Sequence, residues 1–140
     1  GKGYEFRVAG GVSENVTKHS LAKNLKFLGR VSRSEIKNEY LKADIFVLPS
    51  LVEGSATVIY EALATGLPVV TTPASGSFIK DGVDGFIVPC RNSECLADRI
   101  EELVENRLLR QSMSDKARKN SKRFIFESYA RELSNIFQNT

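Results

Sequence analysis

The chain of 140 residues has no tryptophan, one methionine, one histidine and two cysteines. Because His19 is the single imidazole and lies in a polar stretch, we expect it at the surface, and any catalysis must proceed without imidazole. Cys90 and Cys95 have a C-x4-C spacing without a second cysteine pair or a nearby histidine. This pattern argues against a metal site and favours free, semi-buried thiols in a reducing compartment.

Long apolar runs are absent as well. No apolar stretch approaches the ~20 residues that a helix needs to span a bilayer, and no signal peptide is recognisable. We therefore expect a soluble, cytoplasmic protein. The formal net charge is only +3, which argues against nucleic acid as a partner. No Gly-x-Gly-x-x-Gly follows an apolar run, so the sequence does not favour a dinucleotide-dependent oxidoreductase.

Apolar runs alternate with helical patterns along the whole chain, which predicts a single α/β domain with a parallel sheet covered by helices. The spacing of Ser32 and Glu35 is that of a capping box. Strands are expected at residues 5–10, 25–29, 45–48, 69–71 and 86–89, and helices at 13–23, from 32, at 55–65 and 75–80, from 92 or 93, and from about 128.

Residues 43–72 carry the most information about function, because their succession of strand, loop, helix and strand indicates a βαβ crossover. The loop contains Glu53, and the following helix carries Glu61 eight positions later. Open parallel sheets bind ligands at the carboxyl ends of their strands, and the unpaired N–H groups of a helix N-terminus attract anions. A ligand that bears phosphate therefore fits this loop.

If the ligand is a nucleotide with a sugar beyond its diphosphate, each part of the loop has a role. The amides around Gly54, Ser55 and Ala56 point at the phosphates, because glycine permits close approach and the helix dipole favours negative charge. Glu61 accepts hydrogen bonds from the two hydroxyls of a ribose, and Glu53 lies nearer the sugar. Taken singly, the two acids also allow a plainer interpretation, in which Glu53 is a solvated loop acid and Glu61 pairs with a lysine.

The wider pattern favours the ligand site. The segments EGSATVIYE and TGLPVV resemble the donor-binding half of retaining glycosyltransferases of family 4, which have the GT-B fold. The resemblance covers nearly the whole chain, from the strand of Arg7 through GRV at 29–31, ADIFVLPS and DGVDGFIVP to the closing helices. It implies a doubly wound, Rossmann-like parallel sheet flanked by helices, truncated at its N-terminus relative to the family.

The same resemblance implies a role for each candidate residue. Glu53 would contact the donor sugar and is the candidate catalytic residue, Glu61 would hold the ribose, and Gly54 with Ser55 would contact the diphosphate. The resemblance also implies that the backbone at Arg30 and Val31 borders the nucleobase. Ser75, Gly76 and Ser77 would lie beside the donor.

The family transfers a sugar from a nucleoside diphosphate to an acceptor with retention of the anomeric configuration, typically without a metal ion. Many members build surface polysaccharides or lipid-linked sugars, so a glycan or a lipid-linked molecule is the implied acceptor. The chain has no Asp-x-Asp motif, and Asp81 and Asp84 in DGVDG are typical of a turn. We therefore expect no metal and no cofactor, with a nucleotide sugar as the donor substrate.

Two departures from the family pattern matter. TTPASGSF stands where the family often has a Gly-Gly pair, so Thr72, Pro73 and Ala74 receive no assigned contact. The sequence also lacks the first strand and helix of the family's donor domain and the preceding acceptor-binding domain. We therefore expect no transferase activity from these 140 residues alone. The strands of Arg7 and Ile45 should leave a gap, close on each other or receive a strand from elsewhere.

The competing hypothesis is a non-catalytic, doubly wound interaction module in which both glutamates are surface groups. The stretch 107–123 is rich in lysine and arginine. It is either a solvated helix face or a site for anionic lipid, so peripheral contact with the inner face of a membrane stays open. The sequence names neither the nucleobase, the sugar nor the acceptor.

Overall fold

The computed structural model describes the backbone of residues 3–52, 56–75 and 79–138, with the side chains of these residues except 56, 124–129 and 132. The chain divides into two compact units, Gly1–Lys42 and Ala43–Thr140. The strands are β1 (Phe6–Ala9), β2 (Leu25–Gly29), β3 (Phe46–Leu48), β4 (Val69–Thr71) and β5 (Gly85–Ile87), and the α-helices are α1 (Glu14–Thr17), α2 (Arg33–Lys42), α3 (Ala56–Ala64), α4 (Ser93–Glu105) and α5 (Arg107–Gln138).

Every ladder between these strands is parallel, as the alternating pattern predicts. In the first unit β1 pairs with β2, and in the second unit the strand order is β3-β4-β5. The expected parallel α/β architecture is confirmed.

The single helix predicted over residues 13–23 is wrong. The structure has the short α1 and then a 3₁₀ turn at Ser20–Asn24, with His19 between them in an extended conformation. His19 Nδ1 accepts a hydrogen bond from the Leu21 N–H at 3.1 Å, and this local bond competes with a continuous helix. The stretch also buries only Ala22, so little apolar contact holds a longer helix in place.

The predicted capping box at the start of α2 is confirmed. The Ser32 N–H donates to Glu35 Oε2 at 2.9 Å, and the Glu35 N–H donates to Ser32 Oγ at 3.3 Å. Further along, Glu39 accepts two hydrogen bonds from Arg7, at 2.7 and 2.8 Å. This bidentate pair ties α2 to β1, and it raises the pKa of the Arg7 guanidinium above its ordinary value.

The capping box makes the stability of the first unit sensitive to pH. Hydrogen bonds from the Ser32 amide and then the Ser32 hydroxyl lower the pKa of Glu35 from its ordinary value of 4.5. Because the folded pKa lies below the unfolded one, the contribution is complete above the unfolded pKa and is lost as the pH falls through the folded pKa. We expect Ser32→Ala to raise the pKa of Glu35 part of the way back, since the amide donor remains.

A carboxyl-detected NMR titration of Glu35 measures this effect. Ser34→Ala is the matched control, because the Ser34 hydroxyl contacts Ser32 Oγ at 3.2 Å and is not among the groups that lower the pKa of Glu35. An unchanged Glu35 pKa in Ser32→Ala, or an equal rise in Ser34→Ala, would contradict the assignment.

An apolar core of the second unit lies between its sheet and the helices α4 and α5. Val70, Phe86 and Val88 from the sheet region pack with Leu103 of α4 and Met113 of α5. Helix α3 buries Ile59, Ala62 and Leu63 completely. The strand β4 is buried at all three positions, as expected for the central strand of a parallel sheet.

A buried carboxylate joins the turn before β5 to α5. Asp84 is fully buried, and it accepts hydrogen bonds from the Lys80 N–H at 2.8 Å and from Asn120 Nδ2 at 3.0 Å. The turn closes with a hydrogen bond from the Gly82 N–H to the Gly85 carbonyl at 2.9 Å. The turn predicted for DGVDG is therefore present, and its second aspartate is a core residue of the fold.

We expect Asn120→Ala to reduce the free energy of unfolding by about 2 kcal/mol, because it leaves Asp84 Oδ2 without its side-chain donor in a buried position. Chemical denaturation followed by circular dichroism measures the loss. Gln111→Ala on the exposed face of the same helix removes a 3.2 Å contact to Asp115 and should cost less than about 0.5 kcal/mol. Equal losses in both variants would show that the Asp84 contact adds nothing.

Two other helix predictions are wrong. The helix expected over residues 75–80 is absent at its described positions, because Ser75 ends a 3₁₀ turn at Pro73–Ser75 and Ile79 and Lys80 are not helical. Residues 76–78 lie outside the described residues. The separate helix expected from about residue 128 belongs to the continuous α5, since the stretch holds neither glycine nor proline to end a helix. Within the described residues, no helix combines the length and the apolar character required to cross a membrane.

Candidate functional site

The carboxyl ends of β3 and β4 are tied together by two threonine hydroxyls. Thr71 Oγ1 donates to the Leu48 carbonyl at 2.8 Å, and Thr72 Oγ1 donates to the Ser50 carbonyl at 2.5 Å. Both threonines are buried, at 0% and 3% exposure. The segment after β3 therefore leaves the sheet from a fixed position, immediately before the loop that contains Glu53.

This role of Thr71 and Thr72 is a feature that the sequence prediction missed. The prediction assigned no contact to Thr72, because the chain lacks the family's glycine pair at this point. The available signal was a pair of adjacent threonines at the end of a buried strand. Such residues must find acceptors for their hydroxyl groups, and the neighbouring strand offers its terminal carbonyls.

Helix α3 presents Glu61 on the face opposite its buried residues. Ile59, Ala62 and Leu63 are inaccessible to solvent, whereas Glu61 is exposed. The helix ends as predicted at Gly66, which has a φ of 81° and donates its N–H to the Leu63 carbonyl at 2.9 Å. Glu61 thus lies about 7 Å along the axis from the first residue of a helix whose opposite face is buried.

The other candidates of the second unit have different positions. Ala56 is the first residue of α3. Ser75 is 1% exposed, and its N–H donates to the Thr72 carbonyl at 3.1 Å. Glu53, Gly54, Ser55, Gly76 and Ser77 lie outside the described residues.

Arg30 and Val31 belong to the first unit, where they follow the carboxyl end of β2. Gly29 precedes them with a φ of 68°, and its carbonyl accepts the Gly10 N–H at 2.8 Å. The Arg30 side chain is exposed and Val31 is half-buried. Their backbone therefore leaves the sheet at the edge where parallel sheets bind ligands.

A cavity of about 310 Å³ opens at the carboxyl ends of β3, β4 and β5. Its walls are mostly apolar, and Thr72 contributes a polar group. Arg91, in a left-handed conformation with a φ of 58°, also lines it, together with Asn92 and Ser93 at the start of α4. The other lining residues are Pro49, Leu51, Thr72, Val88, Pro89 and Leu96.

The positions of the two cysteines and the histidine need no catalytic role to explain them. Both cysteines are free; Cys95 is half-buried, whereas Cys90 is exposed rather than semi-buried as expected. His19 is exposed, as expected, and caps the 3₁₀ turn. In the part of the chain that the structure describes, no group of three or more His, Cys, Asp and Glu residues is placed to hold a metal ion.

Comparison with known proteins gives a consistent result. The family model for glycosyl transferases group 1 matches residues 3–120 of this chain. The D-inositol 3-phosphate glycosyltransferase of Corynebacterium aurimucosum is 31% identical over 137 residues, which cover 92% of this chain and 32% of that protein. The chain spans about a third of the length of curated relatives such as this one.

Solved structures with the same fold include a domain of a glycosyl transferase group 1 family protein. The C-terminal domain of the group 1 family protein LpcC from Francisella tularensis superposes with a TM-score of 0.65 and 28% identity, over 75% of this chain and 55% of that chain. Anabaena HepE, solved in complex with UDP and glucose, gives a TM-score of 0.76 at 23% identity, over 94% of this chain and 40% of that chain. The expected GT-B-type architecture of parallel sheets and flanking helices is confirmed.

Proposed function

Because this chain belongs to the family of glycosyl transferases group 1, we propose that it is the donor-binding part of a retaining glycosyltransferase of family 4. The donor is a nucleoside diphosphate sugar. The observation that supports this most is the β3–α3–β4 crossover, in which buried threonines fix the end of β3 and a packed helix carries an exposed glutamate.

The roles follow from the order of groups along the crossover. The amides of Gly54, Ser55 and Ala56 bind the diphosphate at the N-terminus of α3, where the helix dipole favours negative charge. Glu61, two turns further along, binds the vicinal hydroxyls of the ribose. Glu53 lies at the other end of the phosphate site and contacts the donor sugar.

Donor contacts outside this crossover complete the proposal. The backbone at Arg30 and Val31 borders the nucleobase, and Ser75 and Gly76 border the donor. The Ser75 N–H already donates a hydrogen bond to the Thr72 carbonyl. The proposed contact between Ser75 and the donor therefore runs through another atom of that residue.

In the proposed reaction, the bond between the anomeric carbon and the diphosphate oxygen breaks. A new bond forms between that carbon and an acceptor hydroxyl oxygen, whose proton passes to the departing diphosphate, and the anomeric configuration is retained. The leaving diphosphate gains negative charge, and preorganised amide donors stabilise that charge without a metal ion. The proposal assigns donor binding alone to these 140 residues, and we expect no sugar transfer from the chain by itself.

Direct binding tests this proposal. Calorimetric titration of the chain with uridine diphosphate, guanosine diphosphate and uridine separates recognition of the diphosphate from recognition of the nucleoside. We expect at least one diphosphate to bind and uridine to bind far more weakly, because the helix N-terminus acts on the phosphates. Absence of binding by both diphosphates would favour a non-catalytic interaction module on the same fold.

A further inference from the structure

Helix α5 concentrates the positive charge of the chain. Its sequence holds eight lysine and arginine residues against three acids, whereas the rest of the chain holds twelve against fourteen. The net positive charge of the protein is therefore a property of this one helix, and the remainder is slightly negative. A molecule with this asymmetry turns α5 toward an anionic surface.

Three of these cations form one exposed group, here named the basic face: Lys116, Lys119 and Lys122. They are exposed, whereas Met113 and Ala117 of the same helix pack into the core at 1% and 0% exposure. The group extends over about 9 Å of the helix axis.

The described charged neighbours of the basic face on α5, Asp115 and Arg118, have contacts of their own. Asp115 lies 3.8 Å from Arg118 and accepts a hydrogen bond from Gln111 at 3.2 Å. Arg118 itself packs against Gly66 at the C-terminal end of α3, where its guanidinium lies 2.5 Å from the position that a Cβ on Gly66 would occupy. These two residues have contacts of their own, and the three lysines of the basic face keep their positive charges.

Large apolar side chains lie on the same side of the helix, both before and after the basic face. Leu108 lies 11 positions before Lys119 and Phe137 lies 18 positions after it, about three and five full turns, so all three share one side of α5. Leu108 is 84% exposed and Phe137 is 76% exposed. Exposed leucine and phenylalanine in line with lysines are the composition of helices that lie in the interface of a bilayer.

We propose that this side of α5 docks the protein on an anionic lipid surface. The cations contact the phosphate groups of the lipid headgroups, with the lysine stems lying along the surface. Leu108 and Phe137 enter the boundary between headgroups and acyl chains. A nucleic acid offers phosphates but no apolar phase for these two side chains. A lipid surface therefore matches both the basic face and the apolar residues, whereas a nucleic acid matches only the basic face.

Co-sedimentation of the chain with vesicles tests the proposal. We expect binding to vesicles of phosphatidylcholine mixed with phosphatidylglycerol, little binding to pure phosphatidylcholine, and a loss of binding as salt is added. Lys119→Gln combined with Lys122→Gln should weaken the partition coefficient about 25-fold, since each cation near such a surface contributes about fivefold. Leu108→Ser should weaken it on the order of tenfold with little dependence on salt.

A matched control removes the same charge elsewhere. Lys23→Gln combined with Lys37→Gln changes two exposed lysines of the first unit and should leave the partition coefficient within about twofold. Circular dichroism checks that α5 stays helical in every variant. The proposal is overturned if wild-type chain does not bind anionic vesicles, if control and α5 variants lose binding equally, or if Leu108→Ser has no effect while an oligonucleotide competes fully with the vesicles.

Discussion

Replacing Gly85 with alanine is expected to prevent the second unit from folding, or to lower its free energy of unfolding by at least about 4 kcal/mol. Gly85 begins β5 and pairs with Val69 of β4. A Cβ at position 85 would overlap the carbonyl oxygen of Val69 and lie 2.9 Å from its carbonyl carbon. These are backbone atoms of the central strand, which cannot move aside without breaking the ladders on both sides of β4.

Gly82→Ala in the same turn is the matched control. Gly82 has a φ of 77°, and a Cβ there would meet no atom within 4 Å. This variant carries only the strain of a left-handed alanine, about 1–2 kcal/mol. Thermal unfolding followed by circular dichroism compares the two variants. If Gly85→Ala costs no more than Gly82→Ala, the close approach of β5 to β4 does not exist in solution.

Glu61→Gln is expected to weaken the binding of a nucleoside diphosphate about 10- to 100-fold, because hydrogen bonds to a charged group contribute about 1.5–3 kcal/mol. The change keeps the size of the side chain and removes the charge that receives both ribose hydroxyls. Since Glu61 is exposed on α3, the free energy of unfolding should change by less than about 0.5 kcal/mol. Calorimetry measures the affinities.

Two comparisons make this result specific. Asp98→Asn removes one exposed carboxylate from α4 and should leave nucleotide affinity unchanged. A 2′-deoxyribonucleoside diphosphate should bind the wild-type chain more weakly than the corresponding ribonucleoside diphosphate. The Glu61→Gln variant should bind both compounds equally. A preference for ribose that survives in Glu61→Gln would remove the assigned role of this carboxylate.

The features that the sequence predicted correctly are those with strong local causes. The capping box needs only Ser32 and Glu35 on one turn, and the stop of α3 needs only the left-handed conformation of Gly66. The predicted strand over residues 69–71 is the observed β4, because a short apolar run after a helix stop has few alternatives. The parallel arrangement followed from the alternation of such runs with helices.

The features that the sequence did not predict depend on contacts between distant residues. Asp84 was expected to be a turn residue, and its burial requires the Asn120 side chain from another element. Gly85 was expected to end the turn rather than begin β5, because its pairing with Val69 leaves no local trace. The break of the predicted first helix at His19 depends on a side-chain hydrogen bond that competes with weak helical preference.

Some features of the candidate site were likewise predicted from the sequence, and others were not. The resemblance of EGSATVIYE and TGLPVV to family 4 enzymes selected the crossover, and the family match over residues 3–120 agrees with the broader group. The threonine pair that fixes the end of β3 was not predicted, because the sequence departs from the family there. The roles of Glu53, Glu61 and the other donor contacts remain predictions.

The measurement that tests the central claim most directly is an amide NMR titration of the isotope-labelled chain with nucleoside diphosphates. If the donor site lies at the N-terminus of α3, the largest shifts will fall on residues 53–57 and at Glu61, with smaller ones after β2 at Arg30 and Val31. Glu61→Gln should reduce these shifts at equal nucleotide concentration. Shifts confined to other parts of the chain, or none with any nucleoside diphosphate, would contradict the account.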